Sequence, residues 1–287
     1  MNNCTEPYLS TTVSFVIMRK YFRIDYRRAI GLILMLIISS LFVTGLDTAF
    51  SFLGLDLPRS ILFPLLYFSP FALFYLFIYY ILQKERTTLG LSFEYSSWKV
   101  YLLIFPLIFC GMITEHYISS VIPKEDPVLR KMYQDLERVF EEETYYPVSL
   151  IVSTVLLAPL CEEIFFRGIL LNGLLRNNIH PVKAILFSSF LFGLIHMNPW
   201  QFVGGFFIGN LLGLVYFCTR SMLNCILLHA FNNGFVILIR FLWKKEREND
   251  LVSTFLDTNP WLFFLTLILT LIGTYTLLYQ TKKIWKN

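Results

Sequence analysis

The stretch Cys161-Glu162-Glu163-Ile164-Phe165-Phe166-Arg167 lies inside an apolar run from about Val148 to Leu175 that is long enough to cross a bilayer. Two adjacent carboxylates and a guanidinium thus fall where lipid is expected. Each ionisable group near the middle of a membrane helix costs about 2.5–3.5 kcal/mol on insertion scales, so such a cluster needs a compensating role, by default a functional site turned towards the protein interior. Glu163 and Arg167, four apart, share a helix face and can form an intrahelical ion pair. Glu162 points about a quarter turn away, which leaves it available as a general base or a ligand while Glu163 and Arg167 support it. The plainer alternative is a buried charge cluster that only specifies helix packing, an expensive way to set register.

Composition frames this reading. Hydrophobic residues make up 56% of the 287 and charged residues 15%, with a mean hydropathy of +0.60, which excludes an ordinary soluble domain. The chain reads as an all-α, multi-pass membrane bundle whose first partner is the lipid bilayer. Its net charge of +4 reflects topology, and without a basic patch interleaved with aromatics no nucleic-acid partner is expected. The cysteines, Cys4, Cys110, Cys161, Cys218 and Cys225, are scattered, odd in number and lack a CxxC pair, so neither a disulfide framework nor a cysteine zinc site is suggested.

Runs of about 20 apolar residues mark membrane helices, and eight candidates lie near 29–52, 60–82, 100–121, 148–174, 182–197, 201–219, 222–243 and 260–280. The fifth and sixth are short and joined only by Met197 to Trp200, as in a hairpin or a pair of half-length helices. Residues 1–28 are mostly polar and carry Arg19, Lys20, Arg23, Arg27 and Arg28, so the first apolar run reads as a retained span that follows a cytoplasmic basic segment. Residues 29–287 then form a single membrane domain, and an even number of spans returns Lys282, Lys283 and Lys286 to the cytoplasmic side. Lys244, Lys245 and Arg247 dissent, because this topology places them outside. In the acidic loop 122–147, Leu129, Met132, Tyr133, Leu136, Val139 and Phe140 recur at helical spacing, as expected of a helix lying in the interface. Such a helix covers the bundle or gates its substrate. Gly205, Gly209 and Gly213 form overlapping GxxxG steps that let two helix backbones approach closely.

The chain has four histidines, and His196 and His229 fall in the apolar segments after the carboxylate pair, with Asn233 on the same helix face as His229. A lone histidine in an apolar helix is usually a packing residue; two, with an amide, beside a carboxylate pair point to a convergent site. A carboxylate that takes a proton from water, an imidazole that orients the water, and a histidine and asparagine that donate to an oxyanion suffice for amide hydrolysis. The alternative is zinc held by Glu162, His196 and His229 with an open position for water, and spacing does not choose between the two. Cys161 as a thiolate nucleophile is a weaker alternative, because apolar neighbours disfavour the thiolate. A proton-relay transporter would use similar groups, but neither an internal repeat nor a spread of polar positions accompanies them.

Glu162-Glu163-x-x-x-Arg167, Phe192-x-x-x-His196 and His229-x-x-x-Asn233, in this order on successive membrane segments, resemble the signature of the CAAX protease and bacteriocin-processing (Abi) family, which includes the Ras-converting prenyl-protein endopeptidases. The resemblance covers about residues 146–240. It implies a helical intramembrane endopeptidase with about eight spans and a cavity open to the membrane and the cytosolic side. By the same resemblance Glu162 is the water-activating base assisted by His196, Glu163 and Arg167 support it, and His229 with Asn233 forms the oxyanion site. Metal dependence has been argued both ways for the family. The implied substrate is a membrane-associated or lipidated protein or peptide, with a prenylated CAAX type among the candidates, and the implied setting is a prokaryotic cell membrane. A non-proteolytic bacteriocin-immunity or scaffold protein of the same fold is the alternative.

Overall fold

The computed structural model describes residues 20–55, 58–127, 129–242 and 251–284. Arg19, Lys244, Lys245, Arg247, Lys286 and Cys4 lie outside the described residues, as do the side chains of Lys282 and Lys283. The chain is almost wholly helical: α1 Tyr26–Phe52, α2 Arg59–Glu85, α3 Trp98–Ser120, α4 Leu129–Glu143, α5 Pro147–Arg176, α6 Pro181–Leu194, α7 Pro199–Thr219, α8 Met222–Leu242, α9 Leu251–Thr258 and α10 Trp261–Ile284. Strands β1, Lys20–Tyr21, and β2, Thr87–Thr88, form a short parallel pair.

Seven of the helices are long and apolar enough to cross a membrane. The eighth expected span is α6, with 14 residues. At a rise of 1.5 Å per residue it measures about 21 Å, less than the roughly 30 Å hydrocarbon core. It also ends earlier than expected. Met197 takes a left-handed φ of 56°, and Asn198 starts α7 by accepting a hydrogen bond from the Gln201 N–H at 2.9 Å. Proline at the first helical position preorganises both α6 and α7. Asp25 caps α1 in the same manner through the Arg28 N–H, which sets that helix three residues before the apolar run begins.

Two ends of the bundle can be told apart. At one, the chain before α1 and the segment between α2 and α3 wrap the ends of α5 and α8. Ile24 N–H donates to the Gly173 carbonyl at 3.2 Å, Asn172 Nδ2 to Leu89 O at 2.9 Å and Met222 N–H to Ser92 O at 2.8 Å. Gly90, at φ +55°, lies where a side chain would strike the Tyr21 ring at 2.5 Å, and the Arg176 guanidinium stacks on that ring at 3.5 Å. Arg23, Arg28, Lys84 and Arg86 also sit at this basic end.

At the other end α4 lies across the bundle with none of its residues fully buried, as the interfacial reading expects. Glu142 pairs with Arg59 at 2.8 Å, Glu137 with Arg240 at 2.9 Å, and the Tyr133 ring meets Trp200 at 5.1 Å. The helix is thus tied to α2, α8 and α7.

The core follows α5, whose Phe165, Phe166, Ile169, Leu170, Leu171 and Leu174 have no exposed surface. The glycine steps of α7 face α6. A side-chain carbon on Gly205 would lie 3.1 Å from Gly193 Cα, one on Gly209 3.0 Å from the Phe192 ring, and one on Gly213 3.0 Å from Ile185. The two backbones therefore meet along this seam, where dispersion acts without competition from lipid.

Candidate active site

The helix that carries the carboxylates is irregular. π turns at Val152–Leu157 and Ile164–Leu171 flank a regular segment, Ala158–Glu163. Such turns insert an extra residue and recur at functional sites, since they leave backbone carbonyls for other donors. The Ala158 N–H reaches back to Ser153 O, and Pro159 has no N–H to offer. Thr154 O accepts instead from Asn233 Nδ2 of α8 at 2.9 Å. The Tyr75 hydroxyl of α2 donates to Cys161 O, and Ser188 Oγ of α6 donates to Phe166 O at 3.0 Å. Three neighbouring helices therefore hold α5 by its own backbone. In an apolar medium each such bond contributes about 0.6–2 kcal/mol.

Glu162, Glu163, Arg167 and His229 come together as the motif spacing expects, with exposures of 8%, 0%, 1% and 5%. Arg167 Nη1 donates to Glu163 Oε1 at 2.8 Å and Nη2 to the Gly209 carbonyl at 3.0 Å. Its guanidinium lies 4.8 Å from the Phe192 ring centre. A side-chain carbon at Gly209 would lie in ordinary contact with Nη2, at 3.5 Å, and would crowd the Phe192 ring at 3.0 Å, so the glycine serves the approach of α6 rather than the guanidinium. His229 Nδ1 donates to the same oxygen of Glu163 at 2.7 Å, which turns Nε2 towards Glu162 Oε2, 3.8 Å away. The other oxygen, Glu162 Oε1, accepts from the Tyr67 hydroxyl of α2.

Phe192 organises the second motif. Its ring makes edge contacts with His196 at 5.4 Å, His229 at 5.8 Å and Phe166 at 4.9 Å, and Arg167 covers its face. His196 is half-buried, and its Nδ1 donates to the Phe192 carbonyl at 2.9 Å, so Nε2 is the nitrogen left to accept. Asn233 uses one N–H on Thr154, and its carbonyl accepts from Asn232 Nδ2 at 3.0 Å. The amide has a second hydrogen for another acceptor. Asn233 thus has a packing role that its position in the motif did not announce.

The zinc set does not assemble in this geometry. Among the described residues no three His, Cys, Asp or Glu side chains are placed to hold one metal ion. As placed, Glu162, His196 and His229 do not close on a shared ion.

Tyr67 and Tyr75, which contact the Glu162 side chain and the Cys161 carbonyl, were not legible as site residues. Only the phenol-phenylalanine-phenol spacing Tyr67-x-x-x-Phe71-x-x-x-Tyr75 marks them, and that spacing also suits plain packing.

Part of the chain is similar to known proteins. Residues 144–235 match the family described as Type II CAAX prenyl endopeptidase Rce1-like. The membrane-embedded CAAX protease MroQ of Staphylococcus aureus is 25% identical over 166 residues, covering 55% of this chain and 66% of that one. An uncharacterised protein of Mycoplasma capricolum is 34% identical over 110 residues, covering 35% of this chain and 30% of that protein. The chain therefore spans less than two thirds of either relative. No solved structure matches it significantly. Fold and site define a multi-pass helical membrane protein with a buried carboxylate–histidine centre. Its segment 144–235, which holds all three motifs, is similar to the CAAX endopeptidase family.

Proposed function

We propose that the chain is an intramembrane endopeptidase that hydrolyses a peptide bond of a membrane-associated or lipidated protein or peptide, using water activated by Glu162. The observation that carries this reading is the unequal use of the two carboxylates. Glu163 is tied to Arg167 and His229, whereas Glu162 keeps Oε2 turned to His229 Nε2 across 3.8 Å. That separation is too long for a direct hydrogen bond, and it suits a site where one group holds the attacking water and the other the carbonyl oxygen.

In this scheme Glu162 takes a proton as the water oxygen bonds to the carbonyl carbon, with His196 Nε2 accepting the water's other hydrogen bond. His229 Nε2–H, when the imidazole carries both protons, and the second Asn233 N–H then donate to the oxyanion. Glu162 returns its proton to the departing amine as the C–N bond breaks. Arg167 and Glu163 hold His229 in place throughout. In nanodiscs the purified protein is expected to cleave a farnesylated CAAX-type peptide faster than its unprenylated counterpart, with products read by mass spectrometry. Cleavage of neither peptide would count against this substrate class.

For sidedness, the positive-inside rule favours a cytosolic position for the basic end, where β1 and β2 lie. His196 and the neighbouring Met197 then approach the opposite surface beneath α4, which departs from the cytosolic opening that the family resemblance implies. Met197 is 78% exposed. A Met197→Cys protein is expected to react with a membrane-impermeant maleimide in intact cells, above the parent's background. Reaction confined to inverted vesicles reverses the orientation.

A further inference from the structure

We infer that Tyr67, on a helix outside the matched segment, is a positioning residue for this hydrolysis: its hydroxyl fixes the Glu162 carboxylate and thereby selects Oε2 as the oxygen that meets water. The inference rests on the peptidase reading.

A phenol has one hydrogen to donate, and Tyr67 spends it on Glu162 Oε1. The ring that carries it is not free to swing. Tyr67 packs on Phe71 at 5.8 Å, and Phe71 on Tyr75 at 6.2 Å, a row of rings at fourfold spacing on one face of α2. Phe74, one position from the row, closes on Phe165 of α5 at 4.8 Å.

At the end of the row the Tyr75 hydroxyl donates to Cys161 O, the carbonyl immediately before Glu162. The two phenols thus hold the backbone and the side chain of the same turn. Glu162 rotates about three side-chain bonds, and the contacts of its carboxylate reach to α2 and α8. Without the Tyr67 donor, either oxygen could turn towards His229 or away from it. With it, Oε1 is occupied and Oε2 is left facing His229 Nε2. The donor also compensates a carboxylate that is 8% exposed in an apolar interior.

The test compares wild type, Tyr67→Phe, Tyr75→Phe and Glu162→Gln in nanodiscs, with kcat and KM measured across pH on a cleaved peptide and melting followed in parallel. Tyr67→Phe keeps the ring contacts and loses only the donor. We expect kcat to fall about 10–100-fold, the range that hydrogen bonds to charged groups convert to, with KM within about twofold. The fall is expected to persist across the plateau of the pH–rate profile, because it is the orientation of the carboxylate that has been lost. Tyr75→Phe is expected to lower the melting temperature and to leave the pH profile in place. A Tyr67→Phe enzyme with the wild-type kcat and pH profile overturns the inference while leaving the peptidase intact, provided Glu162→Gln is dead. A loss of rate that only tracks a loss of folded protein overturns it as well. A wild-type protein that cleaves no peptide removes the inference together with the reading beneath it.

Discussion

Glu162→Gln protein is expected to insert and melt like wild type and to cleave nothing measurable, a loss of at least about 10²–10⁴-fold for removal of a general base. The substitution is close to isosteric. The Gln amide oxygen still accepts from the Tyr67 hydroxyl, so the bond that anchors the side chain to α2 survives. What disappears is the capacity of the second oxygen, the one facing His229 Nε2 at 3.8 Å, to take a proton from water. A single-turnover assay with product detection by mass spectrometry, run beside a detergent melt, separates the two properties. Retained proteolysis in a pure, folded Glu162→Gln sample would sink the glutamate mechanism, and loss of fold would return the cluster to a structural role.

Arg167→Ala is expected to act in the opposite order, on stability first. The guanidinium is 1% exposed and Glu163 is wholly buried, so truncation leaves a carboxylate with only His229 for compensation and strips the donor from the Gly209 carbonyl. Breaking a buried pair from one side destabilises by about 3–5 kcal/mol, a large share of the 5–15 kcal/mol that holds most domains. The protein should accumulate poorly and melt far below wild type. Arg167→Lys is not a rescue, because a single ammonium does not serve Glu163 Oε1 and Gly209 O with two fixed N–H groups while lying flat on Phe192. Removing both charges in Glu163→Gln/Arg167→Met should recover part of the stability and none of the activity. Recovery of catalysis in that double variant would show that the pair does not hold His229 in a working position.

The fold was legible in the chain because its decisive signals are local. Apolar runs gave the long helices to within a few residues, and the i, i+4 spacing set Glu163 beside Arg167 and turned both His229 and Asn233 towards α5. The glycine steps of α7 predicted a close helix contact, and the structure supplies its partner, α6. Other features depend on tertiary register. Nothing in Thr154 or Pro159 by itself says that a carbonyl is left for Asn233, since that follows from the π turn together with the approach of α8. Tyr67 and Tyr75 read as two more aromatics in an apolar span until α2 is laid against α5. The sequence left the zinc alternative open because spacing does not show whether Glu162, His196 and His229 converge; among the described residues no such three-ligand group forms.

Helix α6, with its 14 residues, bears on where the water comes from. It falls about 9 Å short of the roughly 30 Å that lipid tails require. A bilayer meets such a deficit by thinning or by letting headgroups and solvent sink beside the short segment. The helix ends one residue before the turn that carries His196, whose neighbour Met197 is 78% exposed. The proposed hydrolysis, with its carboxylates in the hydrocarbon layer, would need a route for water, and a dent in the membrane at this turn would bring the aqueous phase down to them without a pore through the bundle.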